Sequence, residues 1–186
     1  LMDEPSLRFL EILFEIFGSP PRQGPGNLAS ARKALRHYEN LPDAPEILDL
    51  CCGTEGQTLQ LAELTQGSVI AVDRNSASIE KLNQKHLLFS LTDRVRAQVR
   101  DMAELIMAHS SFDLIWSEGA LYNIGIPRAL SICAGPLHKD GYLVFTDAVW
   151  CKASLPDSVK AIFESDYPTM GTVVGRSCLI DREKPF

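Results

Sequence analysis

An open, doubly wound and mostly parallel α/β sheet is the fold the sequence predicts, on three observations. From residue 46 onward, short apolar runs alternate with segments of helical periodicity. The runs are apolar throughout rather than at every second position, as strands covered on both faces must be. Where a run hands over to a helix, small residues and an acid interrupt it.

The elements follow in order. Residues 6–17, SLRFLEILFEIF, place Leu7, Leu10, Leu13, Phe14 and Phe17 at helical spacing and predict an amphipathic helix packed on the core. GSPPRQGPGN, residues 18–27, is dense in helix breakers and predicts a loop that can serve as a lid. A second helix is expected from Leu28 to Tyr38, capped by Asn27. Strands are expected at EILDLC (46–51), SVIAV (68–72), RVRAQV (94–99), FDLIW (112–116) and GYLVFT (141–146), with helices in TLQLAEL and SASIEKLNQKHLL. A helix in LPDSVKAIFESDY (155–167) and a strand near TVVGRSCLI (172–180) complete the reading. A length of 186 residues suits one domain. Residues 1–40 would form a helical cap, 46–150 a ligand-binding core and 151–186 the C-terminal part.

With 45% hydrophobic and 23% charged residues, the composition is that of a soluble globular protein. A net charge of −6 disfavours binding to a nucleic-acid backbone, which needs many cations to displace counterions. The five cysteines include no CxxC pair, and adjacent Cys51 and Cys52 are badly placed for a disulfide, so free thiols and a cytoplasmic home are expected. No run reaches the roughly 18–20 apolar residues of a membrane span, and the first residues lack the basic start of a secretion signal. His37, His86, His109 and His138 lack metal-ligand spacing, so no metal is expected.

Function is concentrated in ILDLCCGTEGQT, residues 47–58. Asp49 interrupts Ile47, Leu48 and Leu50, and Gly53 then permits close backbone approach. Thr54 is suited to cap the next helix, with Gly56 and Gln57 in its first turn. Such a turn directs main-chain N–H groups at the space beyond the sheet's carboxyl edge, where a ligand can be held. Asp73 ends the second apolar run, where it can accept from both hydroxyls of a ribose; helix capping by Asp73 or Asn75 is the competing role. Asp101 follows the third run. Asp49, Asp73 and Asp101 are therefore expected around one crevice.

In RQGPGN, ILDLCCGT, VIAVDRN, RDMAEL and FDLIWSEGALYNIG, over roughly residues 20–170, the sequence resembles the class I S-adenosylmethionine-dependent methyltransferases, in a small-molecule branch of that superfamily. The resemblance implies a Rossmann-like fold that binds S-adenosylmethionine and releases S-adenosylhomocysteine. It implies that Asp49, Cys51 and the backbone around Gly53 face the methionine part. Asp73 would hold the ribose, with Arg74 beside the adenine. Asp101 would accept from the adenine amino group and Met102 would offer its backbone N–H. Ser117 would lie close to the methyl-transfer site, and Gln23, Gly24, Pro25 and Gly26 would close over the cofactor.

The turn departs from the family's D-x-G-x-G-x-G at Cys51 and Glu55, and a carboxylate at 55 would crowd or repel the cofactor unless it points outward. About 35 residues follow the fifth strand, too few at usual element lengths for the family's two further strands. The expected sheet therefore lacks its last strand or strands, and its open edge is a place for a second copy to pair.

Methyl transfer would need mainly proximity and alignment. Glu118, Tyr122 and Asp147 are the candidates to deprotonate an acceptor; the competing roles are helix capping, core packing and ion pairing respectively. The segment after the fourth strand lacks the Asn-Pro-Pro-aromatic pattern of base-amine methylation, so a small molecule is the expected acceptor. Trp116, Trp150, Tyr122 and Tyr38 are candidate aromatic walls. Two rivals stand beside this reading. One is a binding or interaction protein without catalysis. The other is a nicotinamide-dependent dehydrogenase, although Cys51-x-Gly53-x-x-Gly56 matches only two glycines of its fingerprint.

Overall fold

A computed structural model of the protein describes residues 20, 22–54, 56–88, 90–152 and 154–182, together with Arg8, Ile12, Glu15 and Ile16. The strands are β1 (Glu46–Leu50), β2 (Ser68–Asp73), β3 (Val95–Val99), β4 (Phe112–Glu118) and β5 (Leu137–Thr146). The helices are α1 (Leu28–Leu35), α2 (Gly56–Leu64), α3 (Ser76–Leu88), α4 (Ile126–Ala134), α5 (Asp157–Asp166) and α6 (Val173–Arg182). Short 3-10 turns follow β3 at Met102–Glu104 and β4 at Leu121–Ile124.

The sheet runs β3-β2-β1-β4-β5 with every neighbouring pair parallel, which is the doubly wound arrangement expected. Each strand forms where an apolar run predicts it, and β2 and β4 extend past their runs to take in Asp73 and Glu118. Alternation along each strand sorts side chains between two layers. Ile47 of β1 and Leu114 and Trp116 of β4 pack with Ala31 of α1 and Leu61 and Ala62 of α2. Ala71 of β2 packs with Ile79 and Leu82 of α3 on that same side. Leu48, Leu50, Val72 and Ile115 face the opposite side, against Ile126, Ala129 and Leu130 of α4. The order reverses at β1, whose successors lie on its two sides, so a crevice opens between the carboxyl ends of β1 and β4.

Several local expectations are met or corrected. The Asn27 side chain accepts from the Ser30 N–H at 2.9 Å and caps α1. That helix stops at Leu35 rather than Tyr38, because Tyr38 leaves it to lie against Tyr142 with ring centroids 4.4 Å apart. The Thr54 hydroxyl donates to the Pro20 carbonyl at 3.1 Å and ties the preceding loop to the turn, while residue 55, which directly precedes α2, lies outside the described residues. The strand expected near TVVGRSCLI is instead helix α6. Thr172 makes a single parallel bridge to Trp150, then its hydroxyl accepts from the Gly175 N–H at 3.2 Å and its carbonyl from the Arg176 N–H at 2.9 Å, which starts a helix in place of a strand. Most of the helix expected over residues 6–17 lies outside the described residues, as does Glu55. Of that helix, the described Arg8, Ile12, Glu15 and Ile16 are helical.

At the sheet's amino end, Arg94 Nη1 donates to the carbonyls of Ala62, Thr65 and Gly67 at 3.1–3.2 Å and closes the loop between α2 and β2. Gly67 is required there: a Cβ on it would fall 1.9 Å from the Pro45 carbonyl oxygen. Gly67→Ala is expected to destabilise the protein by roughly 3 kcal/mol, the upper end of over-packing costs, read as a fall in the urea midpoint at constant slope.

Candidate functional site

Two cavities adjoin at the carboxyl edge. The first, about 240 Å³, lies between the end of β1, the start of α2, the end of β4 and the loop before α1. The second, about 360 Å³, lies beyond it between the ends of β2 and β3. Cys51, Asp73 and Ala120 line both, so one crevice runs along the edge. Asp49 lines the first part and Asp101 the second, with Asp73 where they meet. Among the described residues no group of three or more His, Cys, Asp or Glu is placed to hold a metal ion. Nor is any described helix long and apolar enough to cross a membrane.

Asp49 points to the α2 side of β1, where it accepts from the Thr58 hydroxyl at 2.7 Å. It is only 1% exposed. Burial, and then the nearby Glu118 and Asp73 carboxylates, push its acid up to about 7, against the lowering effect of Thr58 and Arg22. A carboxylate so placed becomes comfortable in its charged form only when a cation joins it.

The turn after β1 is left-handed at Cys51 (φ 57°) and Gly53 (φ 59°). That conformation explains why glycine suits both positions; at 51 the strain of a side chain in this region is accepted. The Cys51 thiol lies 3.3 Å from Met102 Sδ, and burial pushes its pKa up to about 12, so it stays protonated. The Gly53 N–H donates to Asp73 Oδ2 at 3.0 Å, and the Asn75 N–H donates to Oδ1 at 2.8 Å. Asn75, in turn, accepts from the Ala77 N–H at 3.0 Å at the start of α3. Asp73 thus has one main-chain donor on each oxygen, which fixes its plane and leaves lone pairs open toward the cavities. Asp101 spends one oxygen on the Ala103 N–H, at 2.8 Å. Arg74, Asp101 and buried Met102 line the second cavity with Asn123 and Ile124.

The loop before α1 roofs the first cavity through Gln23, Gly24 and Pro25. Gly26 does not line it but passes close to the roof's ion pair: a Cβ there would sit 2.2 Å from Glu118 Oε2, which would have to give way. Arg22, absent from the sequence-based site, fastens the roof. Its Nη1 donates to Gln60 Oε1 at 2.7 Å, and its Nη2 meets both Gln57 Oε1 and Glu118 Oε2. Two buried donors in this cluster, Arg22 Nε and Gln57 Nε2, have no hydrogen-bond partner among the described residues. The sequence does not single out Arg22 and places Gln57 only in the first turn of α2, because no local pattern pairs the two; RQGPGN and the start of α2 are the available signals.

The remaining candidates are placed as follows. Ser117 lines neither cavity: it is fully buried, and its hydroxyl donates to the Leu50 carbonyl at 3.1 Å. The next residue, Glu118, shares the face of Leu114 and Trp116 and reaches the first cavity instead. Its Oε1 accepts from Trp116 Nε1 at 3.0 Å and its Oε2 pairs with Arg22. Tyr122 lies outside both cavities, stacked on Tyr167 with centroids 4.8 Å apart, and burial raises its phenol above the ordinary value. Asp147 also lies outside them. It accepts from the Tyr167 hydroxyl at 3.0 Å, and Arg176 Nε stands 2.7 Å away, at ion-pair distance but off the line of its N–H. Trp150 packs edge-on against Phe163, and neither Trp116 nor Tyr38 lines either cavity.

Residues 42–182 match a family model described as a methyltransferase domain. No curated protein sequence matches the chain. Among solved structures, phosphoethanolamine N-methyltransferase 2 from Haemonchus contortus, in complex with S-adenosyl-L-methionine, superposes with a TM-score of 0.76 at 18% identity, over 93% of this chain and 40% of that one. Geranyl diphosphate C-methyltransferase from Streptomyces coelicolor A3(2), in complex with Mg2+, geranyl diphosphate and S-adenosyl-L-homocysteine, gives 0.72 at 14% identity, over 84% and 59%. The chain thus spans 40–59% of the length of these two proteins, and at such identities the likeness is one of fold.

Proposed function

The chain belongs to the methyltransferase-domain family, and from that premise we propose that its crevice binds S-adenosylmethionine and serves methyl transfer to a small-molecule nucleophile. The observation that carries the reading is the meeting of two cavities at Asp73, with a left-handed main-chain turn on one side and an acid from each of three neighbouring strands around them.

The lining fits such a ligand. Gly53 lacks a side chain where a Cβ would fall 2.3 Å from Gln23 Oε1, so the turn and the roof approach closely over the first cavity. Asp49 there awaits a cation, and the unpaired buried donors of Arg22 and Gln57 await an acceptor. An amino acid carries both. In the second cavity, Asp73 is oriented to accept from ribose hydroxyls, while Met102 and Ile124 offer apolar surface beside Asp101 for a purine.

When bound, S-adenosylmethionine supplies an electrophilic methyl group whose departure leaves a neutral thioether. The protein's residues bind, orient and shield it. Cys51, Gly53 and Asp73 fix the ligand's course along the sheet edge, and the Arg22–Gly26 roof excludes water from its amino-acid end. Two of the three candidate bases are occupied: Asp147 is tied to Tyr167 and Arg176, and the raised phenol of Tyr122 stays protonated. Chemistry chiefly by proximity and alignment suits this reading.

The reading treats residues 1–186 as one unit. It sets the protein in a reducing, cytoplasmic setting, with support from the free thiols of Cys51, Cys52, Cys133 and Cys151. It includes a second copy pairing along the outer edge of β5, which light scattering tests. Calorimetric titration tests the core of it. S-adenosylmethionine and S-adenosylhomocysteine are expected to bind with constants in the range of roughly 1 μM to 1 mM usual for enzyme substrates. Binding of NAD alone, or of none of the three, would defeat it.

A further inference from the structure

We propose that Glu118 is an internal stand-in for the ligand's carboxylate: it holds Arg22 in the empty crevice and yields it when an amino-acid carboxylate enters the first cavity. This rests on the cofactor reading above and identifies what Arg22, Gln57 and Glu118 do within it.

Four observations carry the inference. First, the Arg22–Glu118 pair spans the first cavity, with both residues lining it and their side chains only 16% and 9% exposed. A carboxylate already sits where an anion would be recognised. Second, the receptor is not saturated. Among the described residues Arg22 Nε and Gln57 Nε2 are buried without a partner, although both side chains belong to the same hydrogen-bonded cluster. A buried donor without an acceptor is costly, and solvent does not reach these atoms. Once Arg22 turns from Glu118 to a ligand carboxylate between the roof and the start of α2, the rearranged cluster can use the donors that the Glu118 pairing leaves unmade.

Third, Glu118 has an independent hold. Its Oε1 accepts from Trp116 Nε1 at 3.0 Å, so it keeps a charge-assisted hydrogen bond after releasing Arg22. Fourth, the roof is shaped around this pair. A Cβ on Gly26 would lie 2.2 Å from Glu118 Oε2 and 2.4 Å from Arg22 Nη2, and one on Gly24 would lie 3.5 Å from Glu118 Cβ. The roof is thus drawn down by an intramolecular ion pair before any ligand arrives. Exchange of one carboxylate for another keeps Arg22 paired throughout, and no bond is made or broken covalently.

The test compares two probes, S-adenosylhomocysteine and 5′-methylthioadenosine, which lacks the amino-acid end. Both are titrated calorimetrically into the full chain and into Glu118→Gln, Arg22→Met, Arg22→Lys and the Glu118→Gln/Arg22→Met double variant. Removing the internal competitor in Glu118→Gln is expected to tighten S-adenosylhomocysteine about tenfold and leave 5′-methylthioadenosine within about twofold. Arg22→Met should weaken S-adenosylhomocysteine by about tenfold or more and spare the truncated probe, with Arg22→Lys in between because it keeps the charge and loses the fork. In the double variant, Glu118→Gln should have no further effect.

The inference is overturned if Glu118→Gln weakens S-adenosylhomocysteine, or if the Glu118 and Arg22 variants move both probes alike, as a merely structural pair would. The isosteric Glu118→Gln keeps the test decisive even where loss of Arg22 compromises folding, which thermal melting reports. Failure of the unaltered protein to bind either probe is a separate result and defeats the cofactor reading itself.

Discussion

Asp49→Asn is expected to stabilise the ligand-free protein at pH 8 and to weaken its hold on S-adenosylhomocysteine. The carboxyl titrates at about 7 in the folded chain against an ordinary 3.8. An acid raised in the native state binds its proton more tightly there than in the unfolded chain. Its favourable contribution is complete below about pH 4 and is lost as the pH rises through 7. Above that, the native state carries a buried charge, and the raised pKa corresponds to a penalty on the order of 4 kcal/mol. Asparagine keeps an acceptor for Thr58 and removes the charge beside Glu118 and Asp73. Melting temperatures at pH 5 and pH 8 check this. The variant should gain roughly 10 °C at pH 8 and about a third of that at pH 5, where the loss has only begun; an equal gain at both would mean that Asp49 does not carry the effect. For binding the sign reverses. A ligand ammonium favours the ionised acid, so unaltered protein should bind more tightly as pH rises through 7 and release protons on binding, while the variant should do neither.

Gly53→Ala should cost both stability and binding, for separable reasons. The left-handed backbone at φ 59° costs a side chain about 1–2 kcal/mol. The new Cβ also falls 2.3 Å from Gln23 Oε1 and 3.2 Å from its Cδ, so the Gln23 side chain must swing away from the turn and gives up its place over the first cavity. At about 1 kcal/mol, the lower end of over-packing costs, that is roughly 5-fold in affinity. Gly125→Ala provides the control. That residue has φ 82° but nothing within 4 Å of its would-be Cβ, so it carries backbone strain alone. Urea melts should show both variants destabilised, and calorimetry should show weakened S-adenosylhomocysteine only for Gly53→Ala. Equal binding in the two variants would remove the turn-to-roof contact from the argument.

The sheet was legible because its five strands are continuous apolar runs, a pattern local to each strand. Asp49, Asp73 and Asp101 were legible for a related reason: a carboxylate at the end of such a run has few places to point except the carboxyl edge. The choice of Ser117 over Glu118 turned on parity at the rim. β4 runs through to Glu118, so alternation sends Ser117 into the core beside Leu50 and Glu118 toward the loop. TVVGRSCLI shows the weakness of β-branched residues as a signal. Val173 and Val174 favour a strand, yet both are exposed in a helix that Thr172 starts. Arg22 and Gln57 had no local signature, since their pairing is made by tertiary structure.

Arg22 reaches Gln57, Gln60 and Glu118 across 35, 38 and 96 residues of chain. Contacts of such separation form only after the intervening segments have been brought together, because loop-closure entropy must be met before they contribute. The covering of the crevice therefore depends on the sheet: Glu118 comes within reach of Arg22 once β4 has paired with β1. By the same logic it is the first to come apart, so amide hydrogens of residues 22–27 should exchange through local opening while those of β1 wait for global unfolding.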